Sequence, residues 1–450
     1  MRPILYLLPF CLVAIAAPTP ANSGDENDDR SCEEWDGDMI ENKDGPTSDG
    51  SPGIGIEFET GMFYFSSPSC PEATVNNAKK KVLAGRKQKV HSGKSPLWML
   101  TADTGAGERI LQAEYIIDGQ QIKLGSGQAE KVTKEIIEDI TDWQPWKKRT
   151  GKDRVKIEVE DTPCDFYIDG PHPTADVSDV FWQPQITAPL PLEALYVLMK
   201  VRATYSLVPE SNEYFDIIGD TPKSLIGTQV LVNKNYFKKK PNGIDGALLT
   251  DDTLAFLSLV LTYAKAIAKK PLGRDESVKL RSVFMPRTDF HTLYTKVKSQ
   301  LPGDLWNIIN TIACYTPMNP REKNPEQVDL DKLYPDSQLC RIENHNGKRT
   351  LVPGTTLGNA RFGSTTIEDW IRHLDREDLL TTFDKTIDGS IGGLGSKMEK
   401  VLGTSREVPL FEFRDLAWLS TLDLAHFARE ADAKLKALHQ KFKQAPTKRE

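Results

Sequence analysis

The stretch Gly53-Ile54-Gly55-Ile56-Glu57-Phe58-Glu59-Thr60 constrains this chain more than any other. Side chains alternate across a strand with period two, so Ile54, Ile56 and Phe58 share one face, and Gly55, Glu57 and Glu59 the other. Glutamate is depleted in strands and costly to bury unless it is paired or bound to a cation. Such a strand belongs to a sheet with one face on an apolar core and one polar face. Its two carboxylates either meet water or hold a ligand.

The same grammar recurs twice. In Leu410-Phe411-Glu412-Phe413-Arg414 the two rings face one way, and Glu412 and Arg414 the other. In Ala113-Glu114-Tyr115-Ile116-Ile117, Glu114 stands inside an apolar strand shortly after Asp103. One reading is a polar cleft lined by Glu, Asp and Arg, to which magnesium is suited because it takes carboxylate oxygens together with substrate phosphates. The other is an open sheet whose outer face is wet, with Glu412 and Arg414 as a surface pair.

Along the rest of the chain, patterning predicts strands at 54–60, 96–102, 110–117, 154–159 and 184–188. Helices are expected at Gln128 to Trp143, where Val132, Ile136, Ile137, Ile140 and Trp143 form one stripe, and from Pro191 to Tyr205. Residues 222–315 read as mainly helical, including a run from Leu254 to Lys265 that is apolar all round and preceded by Asp251 and Asp252 as candidate caps. Residues 316–365, rich in Pro, Asn, Asp and Gly, read as long loops, within a loop-rich cover over 316–400. A strand at 408–414 and a closing helix from about Ala417 to Phe442 complete the expectation. The sum is an α+β fold, a mostly antiparallel sheet with an acidic cleft face and helices packed on the other face.

The first 17 residues have the parts of a secretory signal: Arg2, an apolar core from Ile4 to Ile15, and Ala14-Ile15-Ala16 for cleavage. That core is too short to span about 30 Å of hydrocarbon, so no stable membrane anchor is expected, and the mature protein should be secreted. Residues 18–52 are strongly acidic: within 22–50 stand eleven Asp or Glu and two basic residues, a net of −9. That segment cannot bury enough surface to fold alone, and it is either a solvated tail or a masking pro-segment. Residues 51–450 carry +1, which gives no footing for a nucleic-acid partner. The remaining 53–450 read as one large domain. Five cysteines stay after the signal, and Cys314 with Cys340 is the expected local bridge.

Neither GxSxG, HExxH nor GxxxxGK[ST] occurs, and the seven histidines have no metal-ligand spacing. The glycine-rich run from Gly389 to Lys397 is either a flexible loop or a phosphate cradle ahead of a helix.

The order of motifs resembles the amidoligase and carboxylate–amine ligase group, related in fold to glutamate–cysteine ligase and glutamine synthetase. Gly55-Ile56-Glu57-Phe58-Glu59 is similar to its opening G-[IV]-E-x-E strand. Asp103 and Glu114 resemble its Asp followed by a strand-borne Glu, Pro184-Gln185-Ile186-Thr187 its later Gln strand, and Glu412-Phe413-Arg414 its E-F-R strand. The sequence departs from the group at Asp103-Thr104-Gly105, where Asp-Gly-Ser is usual. The resemblance implies Mg2+ and ATP as cofactors, with Glu57, Glu59, Glu114 and Glu412 as metal ligands. It implies Gln185 and Arg414 in cofactor binding, and Glu114, Arg287 and Arg414 in catalysis. The implied chemistry activates a carboxylate as an acyl phosphate for attack by an amine, on a small-molecule or protein substrate.

Three functions follow from these readings. The chain is a secreted ATP/Mg-dependent ligase-like enzyme acting as a toxin or virulence effector, a non-catalytic secreted toxin or binding protein on that scaffold, or a hydrolase working through paired carboxylates.

Overall fold

Period-two alternation builds the strand it predicts: β1 spans Gly55–Ser66. The structure, a computed structural model, describes residues 47, 50–71, 83–84, 97–107, 110–144, 156–159, 164–169, 176–203, 231–237, 243–268, 284–313, 340–345, 348–353, 361–362, 365–376, 392–414 and 418–444. The expected signal peptide and nearly all of the acidic segment lie outside these residues. Those described belong to one compact unit, Asn42–Glu450.

In chain order the strands continue with β2 (Leu83–Ala84), β3 (Trp98–Gly107), β4 (Ile110–Ile117), β5 (Lys156–Val159), β6 (Phe166–Asp169) and β7 (Phe181–Pro189). They resume with β8 (Phe284–Pro286), β9 (Cys340–His345), β10 (Lys348–Pro353), β11 (Arg361–Phe362) and β12 (Thr365–Thr366). The last are β13 (Met398–Lys400), β14 (Glu407–Phe413) and β15 (Leu419–Ser420). The main sheet runs β13-β14-β7-β1-β6-β5-β2, with β4 also on β1, β3 on β4, β8 on β14 and β15 on β7. Its pairings are antiparallel, so the α+β expectation holds.

The centre of the sheet is β1, flanked by β4 and β7 over the segment that carries Glu57 and Glu59. Ile56 and Phe58, with Tyr115 and Ile117 of β4, Trp182 and Ile186 of β7, and Phe411 and Phe413 of β14, are buried in one core. Gly53 has a steric reason to lack a side chain, because a Cβ there would stand 1.9 Å from the Gly119 carbonyl oxygen. That close approach lets Ile54 N–H donate to the Ile122 carbonyl at 3.0 Å and sets the entry of β1.

Helix α1 (Gln128–Trp143) buries Val132, Ile136 and Ile140 as its stripe requires. Helix α2 (Leu192–Ala203) follows β7, and α3 (Asp251–Ala268) is buried on every side from Leu254 to Ala264, which explains its lack of amphipathicity. Around α3 pack α2, α4 (Phe290–Val297), α5 (Leu305–Ala313) and α6 (Ile367–Arg372). Helix α7 (Leu424–Lys441) lies on α1, and its buried Asp432 accepts from Gly125 N–H and Gly127 N–H at 2.5 and 2.9 Å, just before α1 begins. Among the described residues no helix is long and apolar enough to cross a membrane.

Four expectations need correction. The span 316–365 contains β9 and β10, a pair in register at His345↔Lys348. Asn346-Gly347, the strongest kind of short hairpin signal, stands between them in sequence, within a stretch whose overall polarity reads as loop. The helical middle also contains β8, three residues too short to show alternation, and a 3-10 turn at Lys234–Phe237. The closing helix starts at Leu424, because β15 and a 3-10 turn capped by Ser420 occupy 419–423. A strand, not a helix, follows the glycine-rich run: Gly392, Leu394 and Gly395 N–H groups bond the carbonyls of Pro286, Arg287 and Gly392, so they are committed within the fold.

The disulfide described is Cys70–Cys164, with Cα atoms 5.7 Å apart, tying the chain beyond β1 to the entry of β6. The expected partner Cys314 lies outside the described residues, as does the portion of the helical middle before Leu231.

Candidate functional site

The register decides what the polar face presents. Glu59 stands opposite Glu114 on β4 and opposite Gln183 on β7, while Glu57 stands opposite Gln185. Residues directly opposite on an antiparallel pair share a face, with Cβ atoms about 5 Å apart. Three carboxylates separated by up to 57 positions in sequence thus converge: one oxygen each from Glu57, Glu59 and Glu114 lies within 4.8 Å of the others. Three oxygens so close repel one another unless a cation or a proton stands between them.

The neighbours hold the cluster in place. Gln185 donates from Nε2 to Glu59 Oε1 at 2.6 Å, and Thr101 Oγ1 donates to Glu114 Oε2 at 3.3 Å. Glu57 keeps some solvent access yet sits deep among protein atoms. Burial first, and then the charge of Glu412, push its carboxyl above the usual range, while Arg287, Arg414 and a hydrogen bond with Glu114 oppose the rise.

Glu412 faces the same side, opposite Thr187 of β7 and Met285 of β8. It is fully buried, and burial alone would raise its pKa. The guanidiniums of Arg414 and Arg287 outweigh that and hold the group below the usual carboxylate range. Arg287 Nη1 reaches Glu412 Oε2 at 2.5 Å, and Arg414 Nε bonds Glu412 Oε1. Expected from the resemblance as a ligand, Glu412 has both oxygens engaged by guanidiniums. Two buried atoms here have no hydrogen-bond partner among the described residues, Gln185 Oε1 and Arg287 Nε.

A divalent cation fits this donor set. The triad supplies three hard oxygens, the Gln185 carbonyl oxygen is a buried acceptor with nothing to accept, and oxygen-only coordination suits Mg2+ or Mn2+. The arginines, aimed by Glu412, suit an anion, since guanidinium forks match carboxylate and phosphate.

Of the residues singled out in sequence, Glu57, Glu59, Glu114 and Gln185 fall in one cluster, and Arg287, Arg414 and Glu412 in an ion-pair set beside it. The side chain of Asp103 lies outside the described residues. Sequence reasoning missed Thr101, whose only signal was its place in a strand with a polar face. It also missed a second buried ionic cluster, where Arg406 Nη1 meets Glu193 Oε1 at 2.6 Å and Glu193 is hydrogen-bonded to Asp252.

No protein-family model matches this chain, and no curated protein matches it in sequence. Among solved structures it is similar to a mutant of the ACD domain of a VgrG toxin of Vibrio cholerae, in complex with ADP and Mn++. The two share 12% sequence identity with a TM-score of 0.33, over 83% of this chain and 96% of that chain. An overlap that loose transfers neither ligands nor residue roles, so the assignments for this chain rest on its own side chains.

Proposed function

We propose that this chain is a divalent-metal- and ATP-dependent ligase-like enzyme that joins a carboxylate to an amine, and that it acts after secretion as a toxin or effector. The observation that carries the reading is the meeting of Glu57, Glu59 and Glu114 within 4.8 Å, beside two arginines anchored on one buried glutamate. Mg2+ at the triad would neutralise charge on the phosphates of ATP during transfer. Glu57, Glu59 and Glu114 would hold the ion, with Gln185 orienting Glu59. Arg287 and Arg414 would bind anionic oxygens of the phosphate or of the substrate carboxylate. Phosphoryl transfer to that carboxylate makes it an acyl donor, and the amine then displaces phosphate. A two-carboxylate glycosidase needs a gap of about 5–10 Å for sugar and water, and a tight three-carboxylate group suits a cation better.

The test is a thermal-shift titration of the full chain with Mg2+, Mn2+ and each metal with ATP, alongside a measurement of ADP release. Metal should raise the melting temperature, metal with ATP should raise it further, and Glu57→Gln should abolish both shifts. Absence of any shift at millimolar metal-ATP, with Glu57→Gln indistinguishable from wild type, removes the reading. Binding with no ADP release on any carboxylate and amine supplied assigns the scaffold to a non-catalytic toxin or binding protein.

A further inference from the structure

Most large rings in the described residues are buried, but Phe181 and Trp418 are 44% and 54% exposed. Both stand at one end of β7, and the register shows which way they face. Along β7, Trp182, Pro184 and Ile186 are buried toward the core, so Phe181 lies on the side of Gln183 and Gln185. That is the face of Glu57 and Glu59.

Trp418 arrives there from the opposite edge. Phe181 turns its N–H and C=O toward β1, where they meet Met62 Sδ at 3.2 Å and Thr60 Oγ1 at 2.8 Å. Backbone groups alternate along a strand, so Val180 and Trp182 turn to the other edge. There Thr421 N–H donates to the Val180 carbonyl, and β15 pairs as Leu419↔Trp182 and Ser420↔Phe181. Leu419 packs on the core, so the preceding Trp418 faces the polar side, level with Gln183. The β14 register brings Arg414 level with Gln185 on the same edge. Two residues along a strand is about 7 Å and one strand across about 5 Å, which sets both rings on the order of 7–10 Å from Glu59.

The polar face has apolar margins: Ile116, opposite Glu57, with Met99 beside it on the side of β3 and β4, and the end of β7 on the other. Carboxylates and guanidiniums give way to Gln183 and then to two exposed rings, which lie within one nucleotide's length of the cation triad. We propose that Phe181 and Trp418 form the subsite for the base of a nucleoside triphosphate whose phosphates lie on the triad and the arginines. This rests on the reading given under Proposed function. Rings with no charged partner among the described residues suit a base bound by its π-face, a mode that tolerates different bases because each has such a face. Phe181 is preorganised for it by the contacts of its backbone with Thr60 and Met62. A planar ring laid there also removes apolar surface that otherwise stays in water.

The experiment compares two probes on the full chain by calorimetry, Mn-ATP and Mn-tripolyphosphate, in wild type, Phe181→Ala, Trp418→Ala and the double variant. Both side chains are exposed, so the variants should fold, which circular dichroism and thermal melting check. Each single variant should bind Mn-ATP roughly five- to a hundredfold more weakly, with binding of Mn-tripolyphosphate unchanged. Variants that bind Mn-ATP as tightly as wild type, or that lose both probes equally, overturn the subsite and leave the metal–phosphate site standing. A surface used only for a macromolecular partner would give the first of these results. Wild type that binds neither probe overturns the nucleotide reading and this subsite together.

Discussion

Two buried ionic clusters stand among the described residues, and they arrange their carboxylates differently. Around Arg406 gather Glu193 and Asp252, from the first turns of α2 and α3. Two carboxylates face one guanidinium, with the Lys296 ammonium close enough to feel Asp252 and Arg406. Burial first, with the hydrogen bond to Glu193 and its charge, pushes Asp252 up to about 8, while that bond and Arg406 hold Glu193 below the usual range despite its burial. The cluster joins the two helices to the β13–β14 turn. In the sheet, Glu57, Glu59 and Glu114 bring one oxygen each within 4.8 Å of one another, while Arg287 and Arg414 are both engaged by Glu412. Burial and the charge of Glu412 raise the Glu57 carboxyl, which is hydrogen-bonded to Glu114, and Gln185 Oε1 has no hydrogen-bond partner among the described residues. The first cluster sets its carboxylates against a guanidinium, whereas the second gathers three carboxylate oxygens at one point, an arrangement that suits a divalent cation.

The largest effect that would sharpen this contrast is at Glu412. Glu412→Ala leaves two guanidiniums without their shared carboxylate and should cost about 3–5 kcal/mol in a denaturant titration. Glu412→Gln, which keeps acceptor geometry on one side, should cost less. A loss near zero for Glu412→Ala would mean that the arginines are not anchored there.

The cation effect comes next. At a hundred times its dissociation constant, Mn2+ should stabilise the wild-type chain by about 2.7 kcal/mol. Glu59→Gln should lose that gain, whereas Asp252→Asn should keep it. If Asp252→Asn lost the gain instead, the roles of the two clusters would have to be exchanged.

Asp252→Asn should stabilise the protein in a pH-dependent way. The unfolded chain releases the Asp252 proton near pH 3.8 and the folded chain holds it to about 8. Between those values the folded state binds more protons, so this group's contribution to stability falls as pH rises. The variant should therefore gain on the order of 1–3 kcal/mol at pH 8, shrinking toward nothing near pH 4. Thermal melts at both pH values check it, and a gain independent of pH would rule out a raised Asp252 carboxyl.

The smallest effect should come from Phe181→Ala. Its exposed ring contributes little to the fold, so stability should change by no more than about 0.5 kcal/mol while nucleotide affinity falls. A large destabilisation would make the ring structural.

The chain's local pattern determined the central strands, the faces they present, helices α1 and α3, and the pairing of each Glu with a polar side. These follow from alternation and 3.6-residue stripes, which a linear reading sees directly. Misreadings clustered where local cues were short or opposed by composition, as at β8 and at the β9–β10 pair. Which carboxylates meet was another matter. Glu57, Glu59 and Glu114 are brought together by register across β1, β4 and β7, and Glu412 is taken by Arg287 because β8 lies beside β14. Strand neighbours distant in sequence, the buried Glu193–Asp252 carboxyl pair and the long-range bridge Cys70–Cys164 are outcomes of packing. Period two places a side chain on a face, but only the tertiary fold decides which other chain segments share it, because burial energy is summed over the whole core.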